Sequence, residues 1–169
     1  MHTFAAAKLS SQACLTGIKT VLDDRNGYER GYCIVRPPGH HAHTEFLHGF
    51  CFFNNVAVAA QYAADQGKKV LIMDWDIHHG DGTQNIFYGN NQVLYMSLHR
   101  YDNMTFFPRR EDSKAEFTGV GDGAGFNVNV AWETGKVANE EVRTDNEVTE
   151  LGCNEYRHAF NELLLPIAK

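Results

Sequence analysis

The stretch LIMDWDIHHGDG, residues 71–82, begins as an apolar strand and ends in a cluster of metal-binding types of side chain. Its run of leucine, isoleucine and methionine is typical of a parallel strand that is buried on both faces of a sheet. In an extended chain, residues two apart point the same way, so Asp74, Asp76 and His78 are predicted to share one side. A carboxylate and an imidazole suit zinc, with iron(II) or another divalent ion as the alternative. Asp76 and His78 are therefore predicted to bind one metal ion.

Apolar periodicity on both sides of this stretch predicts strands that alternate with helices. Such an order favours right-handed crossovers and a parallel sheet with helices on both faces, an α/β fold. Residues 133–153 hold six acidic and two basic residues and are predicted to form an exposed loop. Strands are predicted over 31–35, 69–75, 93–99 and 125–132, helices over 3–22, 52–66 and 154–169, and a short helix or turn over 82–89.

The composition limits the classes of protein to be considered. The chain has 169 residues, which suits one domain, and a net charge of −6, which argues against a nucleic-acid-binding surface. No apolar run approaches the roughly 18 residues that a membrane-spanning helix needs, and the first residues lack the pattern of a signal peptide. Four scattered cysteines are typical of free thiols. These features indicate an intracellular protein, in the nucleus, the cytoplasm or both.

Polar side chains follow three of the predicted strands. The histidine pair at 40–41 follows the first, the metal-type cluster follows the second, and Ser97 and His99 end the third. Ligands of parallel sheets bind beyond the carboxyl ends of the strands, so we expect these side chains to lie together. The remaining histidines with no such context are interpreted as ordinary polar residues: His2, His43, His48 and His158.

Five motifs along the chain resemble those of the zinc-dependent histone deacetylases. Their sequences are most similar to class II and, within it, to class IIb. The motifs are RPPGHHA at 36–42, GFCFFNNVAVAA at 49–60, VLIMDWDIHHGDGTQ at 70–84, SLHRYD at 97–102 and FFP at 106–108. The resemblance implies the three-layer arginase/deacetylase fold, a parallel sheet of eight strands flanked by helices. It also implies hydrolysis of the acetyl amide of N6-acetyl-lysine in a protein such as a histone tail or tubulin, with corepressor or regulatory proteins as further partners.

The same resemblance implies a role for each matching residue. His41 would be the general base and acid, held by Asp81, and His40 would stabilise charge, held by Asp74. Zinc would be the catalytic ion, and K⁺ a structural one. The resemblance assigns zinc to Asp76 and His78, the walls of the acetyl-lysine tunnel to Gly49, Phe50 and Phe107, and a potassium site to Asp74, Asp76, His78, Ser97 and Leu98.

Two motifs of the resembling family do not occur in this chain. They are a glycine-phenylalanine-aspartate stretch that carries the third zinc ligand and a glycine-glycine-tyrosine motif that carries a transition-state donor. Residues 1–169 are therefore expected to be part of a catalytic domain whose C-terminal portion is missing, with weak or no activity alone. Two alternatives remain: a non-catalytic binding or regulatory module with this fold, and a small-molecule amidohydrolase that acts on acetylated polyamines.

Overall fold

Three parallel strands form the sheet in the computed structural model of this protein, which describes residues 2–134 and 152–168. The strands are β1 (Val70–Asp74), β2 (Val93–Arg100) and β3 (Asn127–Trp132), in the spatial order β1-β2-β3. Their register pairs Asp74 of β1 with Ser97 of β2, and Tyr95 of β2 with Asn127 of β3. These three strands were predicted, and their bounds differ from the prediction by two residues at most.

Helices precede, connect and follow the strands, as an α/β fold requires. The helix bounds are α1 His2–Leu22, α2 Asn55–Asp65, α3 Asp81–Phe87, α4 Cys153–Ala159 and α5 Leu165–Ala168, with a π-helical turn at Phe160–Leu164 between the last two. The first residue of α2 is set by Asn54, whose side chain accepts a hydrogen bond from the backbone nitrogen of Ala57 at 3.1 Å. The predicted helices are thus confirmed, with the π turn as an unpredicted irregularity. None of the helices in the described ranges is long and apolar enough to cross a membrane.

The hydrophobic core lies on both faces of the sheet, because β2 sends alternate side chains to opposite sides. Val93 and Tyr95 pack with the alanines of α2 on one face. Met96 and Leu98 pack with Leu164 and the C-terminal helices on the other face. The predicted arrangement of a parallel sheet between two helical layers is confirmed for the residues described.

The predicted strand at 31–35 is wrong. This segment has no ladder partner among the described residues, and Tyr32 and Ile34 are each 91% exposed. It runs beside α1, where the Sγ of Cys33 lies 3.8 Å from the carbonyl oxygen of Ala13. An apolar run has the propensity for a strand, but a strand forms only where a neighbour accepts its hydrogen bonds. Most of the predicted acidic loop, residues 135–151, lies outside the described residues.

Candidate active site

A turn after the proline pair carries two adjacent histidines and is fixed against the start of α3. The rings of His40 and His41 lie 4.0 Å apart between centroids. The backbone nitrogen of Thr83 donates to the carbonyl oxygen of His40 at 3.1 Å. A Cβ atom on Gly82 would lie 2.4 Å from the carbonyl oxygen of Ala42, so only glycine permits this approach. These contacts therefore hold the turn at the carboxyl edge of the sheet, even though the segment before it, residues 31–35, is not a strand.

His40 is held by the carboxylate that ends β1. Its Nδ1 lies 2.9 Å from Oδ2 of Asp74, and the hydroxyl of Tyr95 donates to the same oxygen at 3.1 Å. A Cβ atom on Gly80 would lie 2.5 Å from that oxygen and 2.4 Å from the tyrosine hydroxyl. Glycine at this position therefore leaves room for the hydrogen bond that the family resemblance implied.

His41 is held by a second carboxylate, at the first residue of α3. Its Nδ1 lies 2.7 Å from Oδ1 of Asp81, as the resemblance also implied. Burial is the largest influence on the pKa of His41 and, with the neighbouring His40, lowers it below the usual value despite the carboxylate. For His40, burial acts in the same direction, but the hydrogen bond and charge of Asp74 outweigh it and raise the pKa. The pKa values of the two adjacent imidazoles are thus shifted in opposite directions, which suits His41 for accepting a proton and His40 for carrying a positive charge.

Asp76 and His78 converge, although they do not lie in a strand. Oδ1 of Asp74 accepts from the backbone nitrogen of Asp76 at 3.1 Å, and Oδ1 of Asp76 accepts from that of His78 at 2.8 Å. These successive carboxylate turns bring Oδ1 of Asp76 within 3.0 Å of Nδ1 of His78. The prediction that the two side chains share a side is confirmed, but side-chain turns cause it rather than the alternation of an extended chain.

The Asp76–His78 pair fits two ligands of a zinc ion. Donor atoms on one edge of a tetrahedral zinc site lie about 3.3 Å apart, close to the separation seen here. Burial would raise the pKa of Asp76, but hydrogen bonds from His78 and the charge of His40 lower it, so the carboxylate is ionised. The side chains are 49% and 37% exposed, and Nε2 of His40 lies 4.0 Å from Oδ1 of Asp76. The pair is accessible from solvent and faces the two anchored histidines.

Two consecutive phenylalanines cover this cluster. The ring of Phe106 stacks on that of His78 with 5.0 Å between centroids and 7° between planes. The ring of Phe107 meets His41 edge-on at 4.9 Å. Only Phe107 was assigned a role from the sequence, although the FFP motif contained both residues. Phe106 therefore orients a predicted zinc ligand, and this contact was missed.

The segment around Gly49 is packed directly on His41. Gly49 has a φ of +56°, and a Cβ atom there would lie 2.3 Å from the imidazole ring. Phe50 follows with its side chain 88% exposed. Gly49 and Phe107 thus both contact His41, whereas Phe50 lies open to solvent. The assignment of all three to a substrate tunnel stays a prediction.

Two histidines interpreted as ordinary polar residues, His43 and His48, lie at this cluster as hydrogen-bond partners of Asp81. Nε2 of His43 and Nε2 of His48 lie 2.8 and 2.9 Å from Oδ2 of Asp81. Burial would raise the pKa of Asp81, but hydrogen bonds from His41 and His43 and the charge of His48 hold it well below the usual range. The available signal was four histidines between positions 40 and 48, all close to one turn.

A buried polar network lies behind the cluster. The hydroxyl of Ser97 donates to Nδ1 of His99 at 2.9 Å, and Nε2 of His99 donates to the carbonyl oxygen of Ser113 at 2.8 Å. His79 donates from Nε2 to Gln84 at 3.0 Å and accepts at Nδ1 from the Ser113 hydroxyl at 2.7 Å. Burial lowers the pKa of His79 to about 3 and that of His99 to about 4, so both are neutral near pH 7.

The residues assigned to a potassium site lie close together at the ends of β1 and β2. Asp74 and Ser97 are register partners, and Leu98 follows with its side chain fully buried. The hydroxyl of Ser97 donates its hydrogen to His99. Potassium binding at these residues stays a prediction.

The parallel α/β sheet carries this group of anchored histidines at its carboxyl edge, where the motifs predicted them. The family model described as "Histone deacetylase domain" matches residues 1–169, and the chain belongs to that family. The family predicted from the motifs is therefore confirmed.

Known relatives and a solved structure agree with this assignment. Histone deacetylase 6 of Caenorhabditis elegans is 41% identical over 168 residues, which are 98% of this chain and 16% of that protein. Histone deacetylase 7 of Homo sapiens is 46% identical over 143 residues, which are 83% of this chain and 14% of that protein. The crystal structure of the HDA15 HD domain matches with a TM-score of 0.83 and 41% identity. The matched region is 97% of this chain and 41% of the HDA15 chain. The chain thus spans less than half of the solved domain and a smaller share of the relatives.

Proposed function

We propose that this chain supplies the metal-binding and proton-transfer residues of a protein lysine deacetylase, which hydrolyses the acetyl amide of N6-acetyl-lysine. The observation that carries the proposal is the placement of a carboxylate–imidazole pair, Asp76 and His78, beside a histidine couple anchored by two carboxylates, with Oδ1 of Asp76 4.0 Å from Nε2 of His40. The names of the relatives, all histone deacetylases, support it. Zinc held by Asp76 and His78, with a third ligand from outside this chain, would polarise the acetyl carbonyl.

His41 is the proposed general base and acid. Because its Nδ1–H donates to Asp81, its free Nε2 can accept a proton from the attacking water and return it to the lysine amine as that amine leaves. The carboxylate fixes this tautomer and increases the basicity of the ring. The lowered pKa keeps His41 neutral near pH 7, so it is ready to accept the proton.

His40 is the proposed charge-stabilising group. Asp74 and its hydrogen bond raise the pKa of His40, which favours a charged imidazole beside the reacting atoms. A fixed positive charge aimed at a developing oxyanion is among the largest contributions that a protein makes to catalysis. Tyr95, which donates to the same carboxylate oxygen, keeps Asp74 in the required orientation.

Gly49, Phe50 and Phe107 are the proposed walls for the substrate side chain. The lysine stem is apolar along four carbons and suits aromatic faces. Gly49 and Phe107 already contact His41, which would place the stem's end at the proton-transfer group. The proposed substrates are acetylated histone tails or other acetylated proteins inside the cell, in the nucleus or cytoplasm, with regulatory proteins as further partners.

The decisive experiment restores the part of the domain that this chain does not span. The chain replaces the matching 41% of the HDA15 HD domain, and hydrolysis of an acetyl-lysine peptide is measured with zinc present. We expect hydrolysis by the chimera, and a loss of about 100-fold or more for His41→Ala. We expect little or no hydrolysis by the 169-residue chain alone.

The matched control is His158→Ala in the chimera, because His158 is exposed on α4. This variant should keep full activity. A folded, zinc-loaded chimera that hydrolyses no acetyl-lysine peptide would contradict the proposal. Hydrolysis of acetylated polyamines alone would favour the small-molecule alternative instead.

A further inference from the structure

We propose a second transition-metal site formed by His41, His48 and Asp81, separate from the Asp76–His78 pair. The donor atoms of these three residues all lie within 4.8 Å of one another. Imidazole nitrogen and carboxylate oxygen are the ligands that zinc prefers when no cysteine is present.

Hydrogen bonds hold both imidazoles on the carboxylate of Asp81, one on each oxygen. Nδ1 of His41 lies 2.7 Å from Oδ1 of Asp81, and Nε2 of His48 lies 2.9 Å from Oδ2. In a tetrahedral zinc site the donors lie about 3.3 Å apart, so an ion enters if the imidazoles move back by several tenths of an ångström. His48 has room to do so, because its side chain is 29% exposed while Asp81 is fully buried.

The charge of the cluster favours a cation. The pKa of Asp81 is held well below its usual range, so the carboxylate is ionised, and burial keeps His41 neutral. Arg110 is the nearby positive group, with Nε 3.9 Å from Oδ2 of Asp81, but it pairs with Asp112 at 2.7 Å. In the part of the chain that the structure describes, the guanidinium of Arg110 is thus shared with a second carboxylate that it approaches more closely, and the ionised Asp81 carboxylate can still bind a metal ion.

His43 supports the site from the side away from solvent. Its Nε2 donates to Oδ2 of Asp81 at 2.8 Å, and its ring stacks on that of Phe46 with 4.0 Å between centroids. A hydrogen bond to the second oxygen of a ligating carboxylate fixes the orientation of that carboxylate. His48 is thus the donor at the solvent side, and His43 the orienting partner.

An ion at this site would block His41, a consequence that rests on the proposed function. A neutral imidazole carries one proton, so when Nδ1 binds a metal the proton moves to Nε2. That nitrogen then has no lone pair with which to accept a proton from water. Occupation of the second site would therefore inhibit the proposed deacetylation.

The test removes the first pair and asks whether zinc still binds. In the 169-residue chain carrying Asp76→Asn and His78→Asn, zinc is titrated against a chromophoric chelator at neutral pH, and Co²⁺ absorption reports the coordination. We expect about one retained equivalent. Adding His48→Phe should weaken zinc binding at least about 10-fold. Loss of a residue that only hydrogen-bonds a metal ligand already lowers metal affinity about 10-fold, and His48 is a proposed ligand itself.

Two further variants keep the test decisive. Adding His158→Phe instead of His48→Phe should leave zinc retention unchanged, because His158 is exposed on α4. His48→Gln serves as the milder substitution, and far-UV circular dichroism establishes that each variant is folded. If the folded Asp76→Asn, His78→Asn chain retains no zinc, or retains it equally after His48→Phe, the second site does not exist. That result would leave the proposed deacetylase function standing, because that function uses Asp76 and His78.

Discussion

His78 and His79 are neighbours in the chain but lie in opposite environments. His78 is partly exposed beside Asp76 under the ring of Phe106, where its nitrogen is available to a metal ion. His79 is fully buried, and both of its nitrogens already have hydrogen-bond partners. One residue of sequence therefore separates a ligand at the rim of the site from a structural histidine behind it. The two residues are both histidines, so residue type does not decide their roles. What differs is whether a ring nitrogen is still accessible to a ligand, as in His78, or already hydrogen-bonded inside the protein, as in His79.

The largest expected effect is acid destabilisation caused by the buried histidines. In the unfolded chain, His79 and His99 bind protons below about pH 6.5, whereas the folded pKa values are about 3 and 4. Stability is therefore fully present above about pH 6.5 and falls as the pH falls, by up to about 1.4 kcal/mol per pH unit for each histidine. Urea denaturation from pH 7.5 to 4.5 measures this. A free energy of unfolding that stays constant below pH 6.5 would show that these histidines are not neutral and buried.

The next effect concerns the amide that joins the buried network to β3. Oε1 of Gln84 accepts from His79 and from the side chains of Asn127 and Asn129. Gln84→Met leaves three buried donors without that acceptor, and we expect a loss of roughly 3 kcal/mol in the free energy of unfolding. Chemical denaturation provides the measurement. Gln61→Met on the exposed face of α2 is the control, and equal stability of the two variants would contradict the network's importance.

A smaller effect is expected at Gly80, which lies between the rim and the buried network. In Gly80→Ala the new methyl group would meet Oδ2 of Asp74 and the hydroxyl of Tyr95. Overpacking of this kind costs roughly 1–3 kcal/mol, and here it also pushes Asp74 away from His40. Thermal unfolding tests the stability, and the proton resonances of His40 followed against pH test the contact. The pKa of His40 should fall, and an unchanged value would refute the predicted displacement.

The smallest effect on stability is expected at the rim itself. His78→Asn removes a partly exposed side chain, so the free energy of unfolding should change by less than about 0.5 kcal/mol. Zinc binding should nevertheless weaken, because one of the two proposed donors is lost. A chelator competition on the wild type and the variant separates the two readouts. A large loss of stability without a loss of zinc affinity would reverse the roles assigned to His78 and His79.

Much of the fold and the main site followed from local sequence. Apolar periodicity placed β1, β2, β3 and the long helices, because burial on one or both faces of an element imposes a fixed spacing on the chain. The motif after β1 placed Asp76 and His78 together, and the histidine pair at 40–41 was expected to face them. The motifs also identified the family that the comparisons confirm.

What only the tertiary structure decided depends on partners far away in the chain. The apolar segment 31–35 forms no strand, because no neighbouring strand within the described residues accepts its hydrogen bonds. His43 and His48 join the site through Asp81, which is more than thirty positions away. Sequence spacing fixes the direction of side chains within one element. Contacts between a loop and a helix depend on how the whole chain packs. Only that packing brings Asp81, at the start of α3, within hydrogen-bonding distance of these two histidines.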